Sequence, residues 1–177
     1  MLPATSENLA DHATETTASA RESLDRGLST TRRGAIDPRM QLFEKGSFAP
    51  PPKLPRHAQS LSAELARWQS VHARTHWRLG DERVVDGADF YLGDDELGHL
   101  HLDGEAHVAV GAQLRTALVS AGFARPFRWS GDFVTARIDE ASDVAHGAWL
   151  FALRYDALRG ATEAELLARI ASHVRAV

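Results

Sequence analysis

Cysteine is absent from all 177 residues of the chain. Without thiols the chain can form no disulfide framework, no cysteine zinc site and no cysteine nucleophile. Any chemistry must therefore come from histidine, carboxylate, arginine, hydroxyl or aromatic side chains. Long apolar runs are missing too, since the longest cover only a few residues, whereas a membrane-spanning helix needs roughly 20. We therefore do not expect a transmembrane protein.

The start of the sequence lacks the basic and apolar regions of a secretory signal, so we expect a cytoplasmic location. The formal net charge is only −4. Because non-specific binding to nucleic acids and anionic membranes depends on clustered lysine and arginine, we expect neither as a partner.

Proline is scarce after residue 56, where Pro126 is the only one of the seven, and large apolar side chains are scarce before it. The apolar content of residues 1–55 cannot offset an ordering cost of roughly 1–2 kcal/mol per residue. We predict a disordered or loosely docked arm over 1–55, ending in a Pro-rich linker, and a single domain over 56–177. A thin apolar stripe over 6–29 would form a helix only under a covering surface, so the arm could contact a second copy or another protein.

The domain mixes helical and strand patterns. Apolar spacing predicts four helices. The first covers 58–75, and the second covers 110–121 and ends at Gly122. The third begins after a cap at Asp139 or Ser142, and the fourth begins after a capping box at Thr162. Strands are predicted over 76–92, 96–102, 127–129 and 133–138, with turns at Gly80-Asp81 and Asp86-Gly87. Because the strands come in runs, the pattern favours an α+β fold whose antiparallel sheet has helices packed on one face.

The segment Glu96-Leu97-Gly98-His99-Leu100-His101-Leu102 alternates apolar and imidazole side chains. In a strand, His99 and His101 would share one face with Leu97, about 6–7 Å apart, while Leu100 and Leu102 would face the core. We assign catalytic roles to His99, His101 and Glu96, within a constellation that also holds Asp103 and His107. Three interpretations stay open for it: an acid/base or ligand site, a metal site, and a polar strand face without function. No metal ligand is assigned.

Three further side chains are candidates for ligand binding. Arg128 and Arg137 come from segments that should neighbour the same sheet, and an arginine can bind a carboxylate or phosphate in a bidentate manner. For Arg137, pairing with a surface acid is the competing interpretation. Trp129 could form a flat ligand wall beside Arg128. His72, His76 and His173 give no functional signal.

The motif Glu96-x-Gly98-His99-x-His101, the helix end Leu118-Val119-Ser120-Ala121-Gly122 and the helix Asp143-Val144 to Tyr155 resemble the bacterial and fungal luciferase-domain family over roughly residues 75–157. The chain departs from the family at 131–134, where a tryptophan is expected. The family name implies light emission, yet a domain of about 120 residues is too short for the barrel of flavin luciferases, which takes about 250. The sequence also lacks GxGxxG and GxxxxGK[ST] loops.

Together these observations favour a luciferase-domain-like protein that binds a small organic ligand on the histidine face, with acid/base or oxidative chemistry. The alternatives are a noncatalytic interaction module that uses the N-terminal arm and a metal-dependent enzyme. The sequence identifies no cofactor.

Overall fold

The computed structural model describes residues 49–174, so the predicted arm up to residue 48, with its helix over 6–29, lies outside the described residues. The described part forms four helices and six strands. In chain order they are α1 (Arg56–Leu65), β1 (Val71–Arg78), β2 (Asp81–Leu92), β3 (Asp95–His101), β4 (Glu105–Ala109), α2 (Ala112–Ser120), β5 (Arg125–Pro126), β6 (Phe133–Arg137), α3 (Ala141–Leu158) and α4 (Glu163–Val174).

The six strands form one antiparallel sheet in the order β1-β2-β3-β4-β6-β5. The predicted α+β class with an antiparallel sheet is therefore confirmed. The consecutive strands β1 to β4 pair as neighbours through short turns, as expected of an antiparallel meander. Among the described residues, no helix combines the length and the apolar character needed to cross a membrane.

The core lies between one face of the sheet and the helices. From the sheet come the side chains of Phe90, Leu100, Val108 and Val134, which are fully buried. The helices contribute buried side chains to the same core: Leu61, Leu65, Leu114, Leu118, Leu150, Phe151, Leu153, Leu166 and Ile170. Because these apolar side chains occupy one face of the sheet, the polar side chains of alternate residues project from the opposite face.

The first predicted helix is too long, because α1 ends at Leu65 and Val71 already begins β1. Ser70, directly before β1, has a positive φ of 63°, a turn conformation that separates the strand from the preceding helix. The predicted turn at Asp86-Gly87 is also wrong, since β2 runs through both residues. Gly87 instead allows the backbones of β2 and β3 to approach closely, because a Cβ there would lie 1.9 Å from the carbonyl oxygen of Leu100.

Two smaller expectations also need correction. The strand predicted over 127–129 is confined to Arg125–Pro126, and residues 127–132 form a loop. Helix α3 is capped at Glu140 rather than at Asp139 or Ser142, because the Asp143 carboxylate accepts from the backbone N–H of Glu140 at 2.9 Å. The capping box at Thr162 is confirmed, with Thr162 N–H donating to Glu165 and the Glu165 N–H donating back.

The last residues of the predicted linker contact the domain. The carbonyl oxygen of Ala49 accepts from the N–H of Thr75, at the free edge of β1, at 2.9 Å. Leu54 is buried in the core, and α1 begins directly after Pro55. Residues 49–55 therefore contact both the edge strand β1 and the core.

Candidate functional site

A β-bulge in β3 decides which side chains face the polar side of the sheet. The pairing of β2 with β3 slips between Phe90 and Tyr91, so that Tyr91 pairs with Glu96 and Phe90 with Gly98. Leu97 is consequently fully buried in the core rather than on the histidine face, where alternation had placed it. Glu96 lies instead beside His99, with Oε1 3.0 Å from Nδ1.

Gly98 allows β3 to approach its neighbours closely. Its φ is 150°, and a Cβ at this position would lie 2.2 Å from the carbonyl oxygen of His107 and 3.0 Å from Cε1 of Phe151. No larger residue fits without moving the backbone of β4. This close packing brings His99 directly opposite His107 in the antiparallel register.

Four imidazole rings meet on the polar face of the sheet, and we call them the histidine cluster: His76, His99, His101 and His107. His76 stacks on His99 with centroids 4.2 Å apart and planes 8° from parallel. His99 and His101 are 5.1 Å apart, and both lie within 5 Å of the His107 ring. The ring centroids of His76 and His101 are 5.0 Å apart. These two residues lie on either side of Gly87, which pairs with both and has no side chain to separate their rings.

Each ring of the cluster has one nitrogen against a carboxylate. Nδ1 of His76 lies 2.7 Å from Asp89, and Nδ1 of His99 lies 3.0 Å from Glu96. The other two contacts are Nδ1 of His101 with Asp86 at 3.3 Å and Nε2 of His107 with Glu105 at 3.0 Å. The contacts of His76, His99 and His107 are hydrogen bonds, and an ionised carboxylate can only accept, so these three nitrogens carry the ring protons.

The other ring nitrogens point inward. Nε2 of His99 and Nε2 of His101 lie 2.9 and 3.2 Å from Nδ1 of His107. His76, His99 and His101 can each offer one nitrogen within 4.8 Å of the others, as metal ligands would. A second group with the same spacing consists of Asp89, Glu96 and His99. Nitrogens of His99 and His101 therefore converge on Nδ1 of His107.

Burial keeps the central rings neutral. It lowers the pKa of His99 to about 4, and the hydrogen bond from Nδ1 to Glu96 reverses only part of this effect. The pKa of His101 is lowered as well, chiefly by burial and then by the neighbouring rings of His107 and His76. A neutral imidazole that donates from one nitrogen is free to act as a base or a ligand through the other.

The histidine cluster lines the larger of two adjoining cavities, which have volumes of about 1110 and 600 Å³. His101, His107, Phe127 and Trp129 line both. The larger cavity has an aromatic and apolar wall from Trp77, Leu79, Phe127, Trp129 and Phe133. Cavities of this size with apolar walls and a few convergent polar groups are the usual form of small-molecule sites.

The structure brings some of the predicted site residues together and separates others. Glu96, His99 and His101 lie in one cluster, and Trp129, 69% exposed, lies at the mouth of both cavities. Arg128 stacks over Trp129 at 3.7 Å and lines the smaller cavity. Arg137 lies apart from both cavities, where its guanidinium donates to Asp139 and to the carbonyl oxygen of Asp103. Pairing with a surface acid, the competing interpretation, describes its contacts.

Sequence reasoning missed His76 and its partner Asp89, and it gave His107 no role. His107 was within reach, because it follows His101 across a tight turn at Asp103-Gly104. His76 gave no local signal, since its place beside His99 depends on the pairing of β1 with β2 and of β2 with β3.

Residues 94–154 match the family model described as Luciferase domain. The luciferase-domain resemblance is confirmed. The matched segment runs from the start of β3 into α3, so it contains three members of the histidine cluster and lacks His76. Its core motif, Glu96-x-Gly98-His99-x-His101, supplies the bulge, the close approach and two of the converging rings.

A curated protein named Glutamyl-Q tRNA(Asp) synthetase, from Bordetella bronchiseptica (strain ATCC BAA-588 / NCTC 13252 / RB50), is 44% identical over 82 residues. The similarity covers 41% of this chain and 25% of that protein, so the chain spans about a quarter of the length of this relative. No solved structure gives a significant match to the chain.

Proposed function

We propose that this luciferase-domain-like protein binds a small planar organic molecule in the cavity above the histidine cluster and moves a proton to or from it. The observation that carries the proposal is the joint position of carboxylate-backed imidazoles and an aromatic wall at one cavity. Flat aromatic side chains favour a flat ligand, and buried neutral rings supply the base.

His101 is the best placed of the rings to exchange a proton with a ligand. Its side chain is 20% exposed, more than the 11% of His99 and the 8% of His107. Asp86, 3.3 Å from Nδ1, favours the tautomer that leaves Nε2 as an acceptor. This is the arrangement in which a carboxylate orients a histidine base. Glu96 and His99 form a second such pair behind it.

Ligand binding can be tested with methylumbelliferone, a planar aromatic probe, by following the four tryptophan indole N–H resonances in a nuclear magnetic resonance titration. Trp77 and Trp129 line the larger cavity, so their signals should shift, while those of Trp68 and Trp149 should stay in place. The variant Trp129→Ala should weaken binding several-fold, and His57→Ala, in α1, serves as the control. Equal shifts at all four indoles, or none, would contradict the proposal.

The base function can be tested with nitrobenzisoxazole. A base removes the ring carbon-bound proton of this probe, the electron pair of that bond forms a nitrile, and the N–O bond breaks to release a coloured phenolate. We expect His101→Gln to lower the rate at least tenfold, because general-base catalysis typically contributes at least that much. His57→Gln should leave the rate unchanged. A rate that is equal in both variants would refute the assignment of His101.

The similarity to Glutamyl-Q tRNA(Asp) synthetase gives no support to a synthetase function here, because only a quarter of that protein is covered. The cytoplasmic location and the contacts of the N-terminal arm stay predictions from the sequence.

A further inference from the structure

We propose that the histidine cluster binds one divalent first-row transition-metal ion, held by one nitrogen from each of His76, His99, His101 and His107. The inference rests on the proposed ligand site, because the ion would lie against the same cavity. With the ion bound, Nε2 of His101 would be a ligand, and an oxygen bound to the ion would replace it as the base. The inference adds a cofactor of stated chemistry that neither the family model nor the curated relative names.

The first argument is the position of the ring protons. Nδ1 of His99 donates to Glu96, and Nε2 of His107 donates to Glu105. In neutral rings, Nε2 of His99 and Nδ1 of His107 are then both bare, yet they lie 2.9 Å apart. Two lone pairs at hydrogen-bond distance repel unless a cation lies between them.

A shared proton could relieve one such contact but not the whole cluster. A proton bridges two nitrogens, whereas Nδ1 of His107 has a second nitrogen neighbour, Nε2 of His101, at 3.2 Å, so one bridging proton leaves the other pair without one. His76, His99 and His101 can also each offer one nitrogen within 4.8 Å of the others. A metal ion accepts several lone pairs at once, so it accounts for the convergence that one proton does not.

The nitrogen spacings fit the size of such an ion. Metal–nitrogen bonds of about 2.0–2.1 Å place two ligand nitrogens about 2.9 Å apart at a right angle and about 3.4 Å apart at the tetrahedral angle. The observed separations of 2.9 and 3.2 Å from Nδ1 of His107 fall within this interval.

The outer contacts match the surroundings of metal-binding histidines. Such a histidine almost always donates its second ring N–H to a carboxylate, backbone carbonyl or water, which fixes the tautomer and strengthens the ligand. Three rings of the cluster, those of His76, His99 and His107, donate to a carboxylate in this way, and Nδ1 of His101 lies 3.3 Å from Asp86. Asp89 is 2% exposed, and a buried carboxylate gains from a ring that carries the charge of a bound ion.

The donor set narrows the class of metal. Imidazole suits zinc, copper, iron and nickel, whereas magnesium and calcium prefer oxygen ligands. The cavity above the rings leaves one side of the ion accessible, as in catalytic rather than structural sites. A water or ligand oxygen bound there would lose its proton more readily than in solution.

The test uses the full chain, stripped of metal with EDTA and titrated with Zn²⁺ by calorimetry and with Co²⁺ by absorption spectroscopy. We expect one ion per chain. His101→Gln, which replaces the most exposed of the four rings, should weaken binding at least a hundredfold, and Asp89→Asn, which removes an outer carboxylate, ten- to hundredfold. The control His57→Gln should bind as the unmodified chain does. Thermal unfolding shows whether each variant is folded. Because the two variants are independent, one still tests the inference if the other does not fold.

The inference would be overturned if both His101→Gln and Asp89→Asn bind zinc as tightly as the unmodified chain. It would also be overturned if the folded chain binds zinc no more tightly than the chain unfolded in urea. A ring proton shared between His99 and His107 in the zinc-saturated chain would do the same. The methylumbelliferone titration on the EDTA-treated chain separates the two proposals. Zinc binding without tryptophan shifts would refute the organic-ligand site alone, and shifts without zinc binding would refute the metal site alone.

Discussion

The stability of the metal-free chain should fall steeply as the pH drops from 7 to 4.5, and His99 should cause much of this fall. Its pKa in the folded chain is about 4, against an ordinary value of 6.5, because burial disfavours the imidazolium. Between these values the unfolded chain binds a proton that the folded chain does not. Stability therefore rises with pH through this window and is lost as the pH falls.

The magnitude follows from the same two values. A pKa of about 4 in place of 6.5 contributes about 3 kcal/mol to the unfolding free energy above pH 6.5 and nothing below pH 4. Most of this contribution is lost by pH 4.5. The lowered pKa of His101 acts in the same direction. For a domain of this size, a loss of about 2–3 kcal/mol is a large part of the 5–15 kcal/mol that stabilises most proteins.

The assay is urea unfolding of the EDTA-treated chain at intervals from pH 4.5 to 7, compared with His99→Gln and with the control His57→Gln. The absolute stability of His99→Gln is not the readout, since any core change lowers it. The readout is the change in unfolding free energy between pH 7 and pH 4.5. This change should be about 2 kcal/mol smaller in His99→Gln than in the unmodified chain, and it should be the same in His57→Gln as in the unmodified chain. An equal change in all three proteins would refute the account of His99 as a buried neutral ring.

Three further substitutions test the packing around the site, each by urea unfolding at pH 7. Phe151→Ala removes a fully buried ring that contacts Phe90 edge to face at 5.8 Å, and should cost about 3–5 kcal/mol; a loss under 1 kcal/mol would contradict the core position. Gly98→Ala places a methyl group 2.2 Å from a backbone oxygen of β4 and should cost at least about 3 kcal/mol, so a neutral effect would show that the strands are not in close contact. Thr162→Ala removes the cap of α4 and should cost about 1 kcal/mol, and no change would mean that the cap is frayed in solution.

The fold class and the main site strand were within reach of the sequence because their signals are local. Alternation of leucine and histidine marks β3, and apolar spacing followed by Gly122 marks α2. The same local patterns place His99 and His101 on one face of a strand. Glu96 entered the candidate site as a sequence neighbour of the histidines, although regular alternation would place it on the leucine face.

The remaining parts of the site depend on contacts between strands. The bulge that brings Glu96 to the histidine face appears only in the register of β2 against β3. Asp86-Gly87 has the composition of a turn, but here Gly87 lets two strands approach and lets His76 meet His101 across β2. Such pairing is set by the whole sheet, so no window of the sequence contains it.

The interpretation of the histidines as a plain polar strand face does not account for their burial. A solvated face would leave the rings in water, yet the side chain of His99 is only 11% exposed and that of His107 only 8%. Burying imidazoles and carboxylates costs free energy that an apolar face would not, and this cost is offset only if every buried polar group finds a partner. The outward nitrogens find carboxylates, whereas the inward nitrogens find one another. A sheet face built for stability alone would avoid that arrangement, so the inward nitrogens are the part of the molecule at which an ion or a ligand is expected to bind.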